Sequence, residues 1–419
     1  MRFLIHILAA LGCMSLSCAT AADIQTTITL EQGLGRVIEY SPVLKGARYQ
    51  TSAAEARVRA ARLPTPLSVK IELENFAGSG KASGTDILES TLSLARVLET
   101  GNQTNLRGDL ARQKADLLQN EQDSRRLDLL ATTTDRFVSV VSDQEMLEIA
   151  RKTMKLARHT FEVIEARYKA GKAPASERSR AVIELARTEI ELKHAEHKLA
   201  ASRLRLAATW GDTSPHFDIA EGDLFALDEV VPFDQLKDLL DRNPDLVRFA
   251  TAQRLAAART RLARADRRPD IDLYGGVRYL RESEDVALVV SASVPFGTRQ
   301  RAAPSIEEAE MLALAEPLAQ EQRRLELYTT LFEIHQELMH SRSAVETLRQ
   351  RIIPESRKVL RDLEKGYAQG HYSFVDILLA QRTLLKARIE LVSSAADYHR
   401  YRAEIDRLTG ARLLREARP

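Results

Sequence analysis

A chain of 419 residues with 61 Lys and Arg against 59 Asp and Glu carries a formal net charge of only +2. The charges are interspersed rather than clustered, so the balance gives no electrostatic reason to expect nucleic acid as a partner. Aromatics make up 5%, and Ala, Leu, Arg and Glu dominate, which is the composition of long helices with charged flanks.

The chain opens MRFLIHILAALGCMSLSCATAAD, with Arg2 as a positive leader, Phe3 to Leu16 as an apolar core, and Ala19-Thr20-Ala21 as a small-x-small cleavage site. Residues 1–21 therefore read as a secretory signal peptide, because the apolar run is shorter than the roughly 20 residues of a membrane-spanning helix. Lipidation at Cys18 is the alternative, although Leu16 stands one place from where a lipobox wants it. Both cysteines, Cys13 and Cys18, fall in this segment, so the exported chain has neither a disulfide nor a thiolate metal site. No later apolar run is long enough for a spanning helix, which leaves the weaker signal of a membrane barrel open.

Residues 22–29 read as an extended lead-in, and Leu30 to Glu39 as a short helix stopped before Ser41-Pro42. An Ala-rich helix follows from Pro42, well placed in a first turn, to about Arg62, where Pro64-Thr65-Pro66 ends it. In LSVKIELENF, Leu67, Val69, Ile71 and Leu73 alternate with Ser68, Lys70, Glu72 and Glu74, a strand period of two. After a Gly/Ser turn a second strand runs from Ile87 to Leu98, with Leu88, Leu92, Leu94 and Leu98 on one face.

Gln103 to Lys169 contains no proline and predicts one helix of about 100 Å at 1.5 Å per residue. A return helix spans about Ser176 to Thr209, on which Leu185, Leu192, Leu199 and Leu206 recur every seven residues as a coiled-coil seam. A second row at the same spacing, Ile183, Ile190, His197 and Leu204, also reads as packing. Residues 212–232 read as an irregular linker.

The order then repeats. A helix led by Pro244 runs to Arg268. In IDLYGGVRYL, Ile271, Leu273, Val277 and Tyr279 alternate with Asp272, Gly276 and Arg278. In VALVVSASVPF, Val286, Leu288, Val290, Ala292, Val294 and Phe296 face one way and Ser291 and Ser293 the other. A second long helix is expected from Ser305 to Gln369, with kinks at Pro317 and Pro354, and a return helix from Ser373 to Thr409.

The repeat is also visible at the residue level. YAQGHYSFVDILLAQRTLLKARIEL, from Tyr367, echoes YKAGKAPASERSRAVIELARTEIEL, from Tyr168. Tyr367/Tyr168, Gly370/Gly171, Asp376/Glu177 and Gly410/Gly211 all stand 199 positions apart, as expected of a duplicated unit. The chain thus divides into residues 22–211, with a strand hairpin at 67–98 and a helical hairpin at 103–209, the linker 212–232, and residues 233–410. In the second unit the hairpins are at 270–296 and 305–409, and 411–419 form a tail. Strands of about ten residues span a bilayer when tilted. Four strands cannot close a barrel alone, so several chains would have to share one.

This order, together with the tip sequence Gly370-x-x-x-x-Val375-Asp376-x-Leu378, resembles the TolC family of outer-membrane efflux ducts over essentially the whole exported chain. The stretch PTPLSVKIELENFAGSG, Pro64 to Gly80, resembles the heavy-metal branch, the CzcC-like and CusC-like members. The resemblance implies a mainly α fold with a small β part, assembled as a homotrimer. Its twelve-stranded barrel in outer-membrane lipid, four strands per chain, would continue into a periplasmic α-helical barrel. It also implies a Gram-negative outer-membrane location, a periplasmic membrane-fusion adaptor and an inner-membrane pump of the RND type as partners, and heavy-metal cations as cargo. By the same resemblance the hairpin tips form the periplasmic gate, with Asp376 and Glu177 near the aperture. Tyr168–Ala175 and Tyr367–Phe374 would dock the adaptor, with Gly171 and Gly370 making the turns and Tyr168 and Tyr367 packing beneath them. Carboxylate rings in a narrow pore attract cations; equally, both acids complement a helix N-terminus.

No catalytic motif and no cofactor site is legible. There is no HExxH, no GxSxG and no P-loop, and Lys81 of GSGKASG stands in the wrong place in a strand turn. His194 with His197, and His335 with His340, are the tempting metal pairs, but the first falls in helix-packing rows and neither is taken as a site. The competing readings are the same duct carrying drugs or secreted proteins, and a soluble periplasmic coiled-coil adaptor or scaffold.

Overall fold

The computed structural model describes residues 27–410. The signal peptide, the lipidation alternative at Cys18 and the tail 411–419 lie outside the described residues. In order the elements are β1 (Thr27–Ile28), α1 (Leu30–Tyr40), α2 (Pro42–Ala61), β2 (Ser68–Glu74), β3 (Glu89–Leu98), α3 (Gln103–Lys169) and α4 (Ala175–Ala207). Then come β4 (Ile219–Ala220), α5 (Phe233–Lys237), α6 (Pro244–Ala265), β5 (Ile271–Leu280), β6 (Asp285–Ser293), α7 (Thr298–Thr347), α8 (Ile353–Ala368) and α9 (Phe374–Thr409).

The strands form one antiparallel sheet in the order β2-β3-β5-β6, so the hairpins of the two halves join through β3 and β5. Register makes the alternation of each strand add up across the sheet. Val69 pairs with Leu94, Leu94 with Gly275, and Gly275 with Val290; Ile71, Leu92, Val277 and Leu288 form the next row. This face is apolar and exposed, with Ile71 at 72% and Leu288 at 85%. The other face is polar: Arg278 reaches Glu89 at 2.7 Å, Glu74 at 3.1 Å and the Thr91 hydroxyl at 3.0 Å. Position 276, on the same polar face, is a glycine where β3 passes so close that a Cβ would collide with the Leu92 carbonyl oxygen. An apolar exterior backed by a polar interior is the pattern of a membrane barrel wall.

The helices stand below the sheet as a sheaf. Nearest the sheet they are ordered α2-α3-α6-α7; towards the far end α4 packs on α3, α3 on α9, and α9 on α7 and α8. Leu199 and Leu206 of the heptad seam are buried and Leu185 and Leu192 half-buried, as a packed coiled-coil face requires. At mid-height the core gathers Phe137, Val140 and Val141 of α3 with Val392 and Ala395 of α9 and Trp210 and Phe217 of the connection.

Four expectations change. The connection after α4 is not wholly irregular: β4 pairs in parallel with β1, Thr27 to Ile219 and Ile28 to Ala220. The Gln144 side chain fixes it by accepting from the Ala220 N–H at 2.8 Å and donating to its carbonyl at 3.0 Å. The second long helix starts at Thr298, and Pro317 sits inside the unbroken α7. At Pro354, the second proline expected to disturb the helix, a π turn, Leu348–Ile352, lies immediately before it. A proline lacks the N–H that Gln350 four residues earlier would accept, and its ring needs room, so a wider turn forms there. The second strand begins at Glu89, two residues later than Ile87. Finally, the row Ile183, Ile190, His197 and Leu204 is not packed within the chain but exposed.

With the apolar face in lipid, Val69→Lys is expected to destabilise the assembled protein by about 2–4 kcal/mol near the midplane. Ser68→Lys, on the polar face, should be tolerated. Urea titrations of the vesicle-inserted protein measure both, and equal tolerance would refute the register.

Candidate functional site at the helical tips

Sequence singles out two helix-to-helix turns, and the structure builds both the same way. α3 is followed by Gly171 in the left-handed region at φ +68°, and α8 by Gly370 at φ +80°. In the first turn the Lys172 N–H donates to Arg167 O at 2.8 Å and Gly171 N–H to Tyr168 O at 2.9 Å. In the second, His371 N–H donates to Gly366 O at 2.9 Å and Gly370 N–H to Tyr367 O at 3.0 Å. Both are six-residue αL closures in which a residue with a Cβ would be strained at the glycine.

The tips differ in what starts the returning helix. Ser373 caps α9: its hydroxyl accepts from the Asp376 N–H, and the Asp376 carboxylate accepts from the Ser373 N–H at 2.9 Å and from its hydroxyl at 2.7 Å. This capping box holds Asp376 below the usual carboxylate range, chiefly through the Ser373 hydroxyl. Pro174 occupies the same position before α4 and has no hydroxyl, so no such box forms.

Glu177 is therefore free to reach across to the other hairpin, where the Tyr367 hydroxyl donates to it at 2.6 Å. Burial, and then this bond to a carboxylate, push the Tyr367 phenol up to about 12, so it stays a donor at any physiological pH. Arg167 stacks over the Tyr367 ring at 4.8 Å and Phe374 lies against it at 6.2 Å.

The hairpins are further joined by a small core of Ile164, Ala181, Phe374 and Leu378 and by Arg382 on Glu184 at 2.7 Å. Tyr168 departs from expectation. It is 41% exposed and lies under Arg178 at 5.6 Å rather than beneath the turn. The residue tucked against the second turn is Tyr372, whose ring occupies the space that any Cβ on Gly366 would enter. Sequence reasoning passed over Arg167, Gly366 and Tyr372, although the offset of 199 pairs Arg167 with Gly366 and Ala173 with Tyr372. Those mismatches mark where the copies diverged.

Among the described residues, no three of His, Cys, Asp or Glu converge as metal ligands. His194, His197 and His340 are exposed, and His335 is buried with Nε2 at 3.0 Å from the Val231 carbonyl.

A depressed carboxylate contributes stability above its unfolded pKa of about 3.9 and loses it as pH falls through its lower folded value. The hydrogen-exchange protection factor, taken against the intrinsic rate at each pH, should therefore hold in the first turn of α9 from neutrality to about pH 4 and fall below that. Asp376→Ala should lower the protection at neutral pH to the acid level of the unsubstituted protein and abolish the acid step.

Residues 34–212 and 236–411 each match the family model described as "Outer membrane efflux protein". The cobalt-zinc-cadmium resistance protein CzcC of Cupriavidus metallidurans is 25% identical over 386 residues, covering 91% of this chain and 90% of that one. The solved structure of CusC superposes with a TM-score of 0.72 at 17% identity, covering 91% of each chain. The outer membrane protein VceC of Vibrio cholerae superposes at 0.73, also 17% identical, over 91% of this chain and 96% of that one. The chain belongs to the outer membrane efflux protein family, and it is an outer-membrane efflux duct of TolC-like fold.

Proposed function

We propose that three copies of this chain form one duct that passes heavy-metal cations from the periplasm to the exterior, and that the helical tips are its gate. The cargo reading is supported by the likeness to CzcC over nine-tenths of both chains, together with the Pro64–Gly80 stretch. Three copies supply twelve strands, enough to close a barrel whose polar face lines the bore. The α3 helix of 67 residues, about 100 Å long, carries that bore into the periplasm.

The observation that carries the gate reading is the Tyr367–Glu177 bond between the two hairpins. A part-buried hydrogen bond to a charged acceptor contributes about 1.5–3 kcal/mol, enough to bias a two-state tip and small enough for a partner to overcome. A periplasmic adaptor docking on Tyr168–Ala175 and Tyr367–Phe374 would be that partner. An inner-membrane pump of the RND type supplies the energy. Asp376 and Glu177 place carboxylates at each tip; three copies ring the aperture with negative charge and favour cations.

Planar-bilayer conductance of the purified protein tests both ideas. Tyr367→Phe should raise open probability by removing the latch, and Asp376→Ala should lower cation preference. Unchanged gating in the first variant sinks the latch, and unchanged selectivity in the second removes Asp376 from the aperture.

A further inference from the structure

The apolar face of the sheet carries one charge. Strand parity puts Arg96 on the same side as Leu92, Leu94 and Leu98, because side chains alternate along β3. Its row across the sheet is Leu273 and Ala292, and the next row is Leu94, Gly275 and Val290. Arg96 is exposed, and its side chain makes no hydrogen bond or ion pair with a described residue. The arginine on the polar face, Arg278, is held by two carboxylates.

Its depth follows from the register. The last row of β3 and β5 towards the helices is Leu98 with Ile271, and Arg96 stands one row above it. Two residues of strand cover about 7 Å, or about 5 Å of height at a tilt near 45°. Arg96 therefore lies just inside the apolar band, in the half of the bilayer nearest the helices. A guanidinium at that depth lays its stem along apolar surface and sends its head to the headgroup layer. Phe296, after β6 at the same end, is 96% exposed, an aromatic at the height of a barrel's interfacial girdle.

Four more arginines stand at the next level down. The Thr100 hydroxyl donates to the Pro269 carbonyl at 2.7 Å, and the Thr298 hydroxyl to the Arg267 carbonyl at 2.9 Å. These bonds gather Arg267, Arg268, Arg299 and Arg301 at the junction of sheet and helices. All four are exposed, and none of their side chains is bonded to a described residue. The carboxylates at this level, Asp266 and Asp270, are influenced by Arg107 instead. One helix further in, Arg261 and Arg264 are paired with Asp109 and Glu310. The opposite end of the sheet is acidic, since the turn after β5 reads Arg281-Glu282-Ser283-Glu284-Asp285. Unpaired positive charge is thus collected at one edge of the apolar band.

We propose that Arg96, with the four arginines beneath it, binds the phosphodiester of phospholipid headgroups in the periplasmic leaflet of the outer membrane. This rests on the multi-chain barrel proposed above, because only a closed barrel keeps the apolar face in lipid. The helices extend into the periplasm, so the leaflet at their end of the sheet is the periplasmic one. Phosphate is the anion that the headgroup layer supplies, and the planar guanidinium takes two of its oxygens at once. The four lower arginines add attraction that salt screens. The contact also fixes the height of the barrel. Raising it by one row draws Arg96 away from the headgroups, and lowering it brings Leu98 and Ile271 out of the hydrocarbon.

Lipid retention tests the site. The detergent-extracted protein, sized by light scattering, is titrated with phosphatidylglycerol and separately with diacylglycerol of the same chains, and bound lipid is counted by native mass spectrometry. Phosphatidylglycerol should be retained about tenfold better. Arg96→Leu suits a lipid-facing strand position and should weaken that retention about fivefold. Arg267→Gln combined with Arg268→Gln should weaken it by a similar factor. A trimer that retains the two lipids equally, or that retains phosphatidylglycerol equally with and without Arg96, overturns the site and leaves the duct standing. Displacement of the lipid by an equal concentration of inorganic phosphate overturns the lipid assignment as well. A protein that is monomeric by light scattering overturns the barrel and the site together.

Discussion

The constraint on which this structure turns is that a backbone edge cannot be left open in lipid. The four strands make a sheet whose one face is apolar from β2 to β6, yet among the described residues β2 and β6 each lack a neighbour on their outer side. A sheet of this size cannot bend round to pair with itself, because about eight strands are the minimum for a closed barrel. The fold is therefore complete as a protomer and incomplete as a membrane object. The helices below inherit the same incompleteness, because α3, α4, α7, α8 and α9 descend from the ends of those strands.

Duplication is how the chain builds this object, and the two copies have diverged at their tips. Both tips close with the same pair of backbone hydrogen bonds around a left-handed glycine. A serine cap ties Asp376 to its own helix, whereas a proline at the corresponding position leaves Glu177 free to take the Tyr367 hydroxyl. One substitution in the cap thus converts an intrahelical contact into a contact between hairpins. The pairing of Arg167 with Gly366 works in the same direction. The arginine lies on the Tyr367 ring, and the glycine makes room for Tyr372 in the other copy.

Much of this was legible from residues alone. The period-two alternation of Val69, Ile71, Leu92, Leu94, Val277 and Leu288 identified the strands and their apolar face, because in a strand parity alone decides which side a residue takes. The proline-free stretch from Gln103 gave one helix of the expected length, and Leu185 to Leu206 marked its partner seam. The errors are equally physical. The helix boundary expected at Ser305 was seven residues late, since α7 starts at Thr298 and runs through Pro304 and Pro317, whereas Pro354 acts through a widened turn before it. The short β1–β4 pairing carries no periodicity over two residues and could not be read. Tyr168 and Tyr367 look equivalent in sequence, and only the neighbours from the other hairpin separate them.

Sequence by itself determined the type and order of the long elements, the face each sheet strand turns to lipid, and the family, since all three follow from local spacing and from an internal repeat. Tertiary structure alone decided which acid caps a helix and which bridges two hairpins, that β3 joins β5 across 173 positions from Leu98 to Ile271, and that one row of α4 stays exposed among the described residues. Those depend on distances between segments remote in the chain. Residue spacing encodes direction along one element and carries no information about what lies across from it.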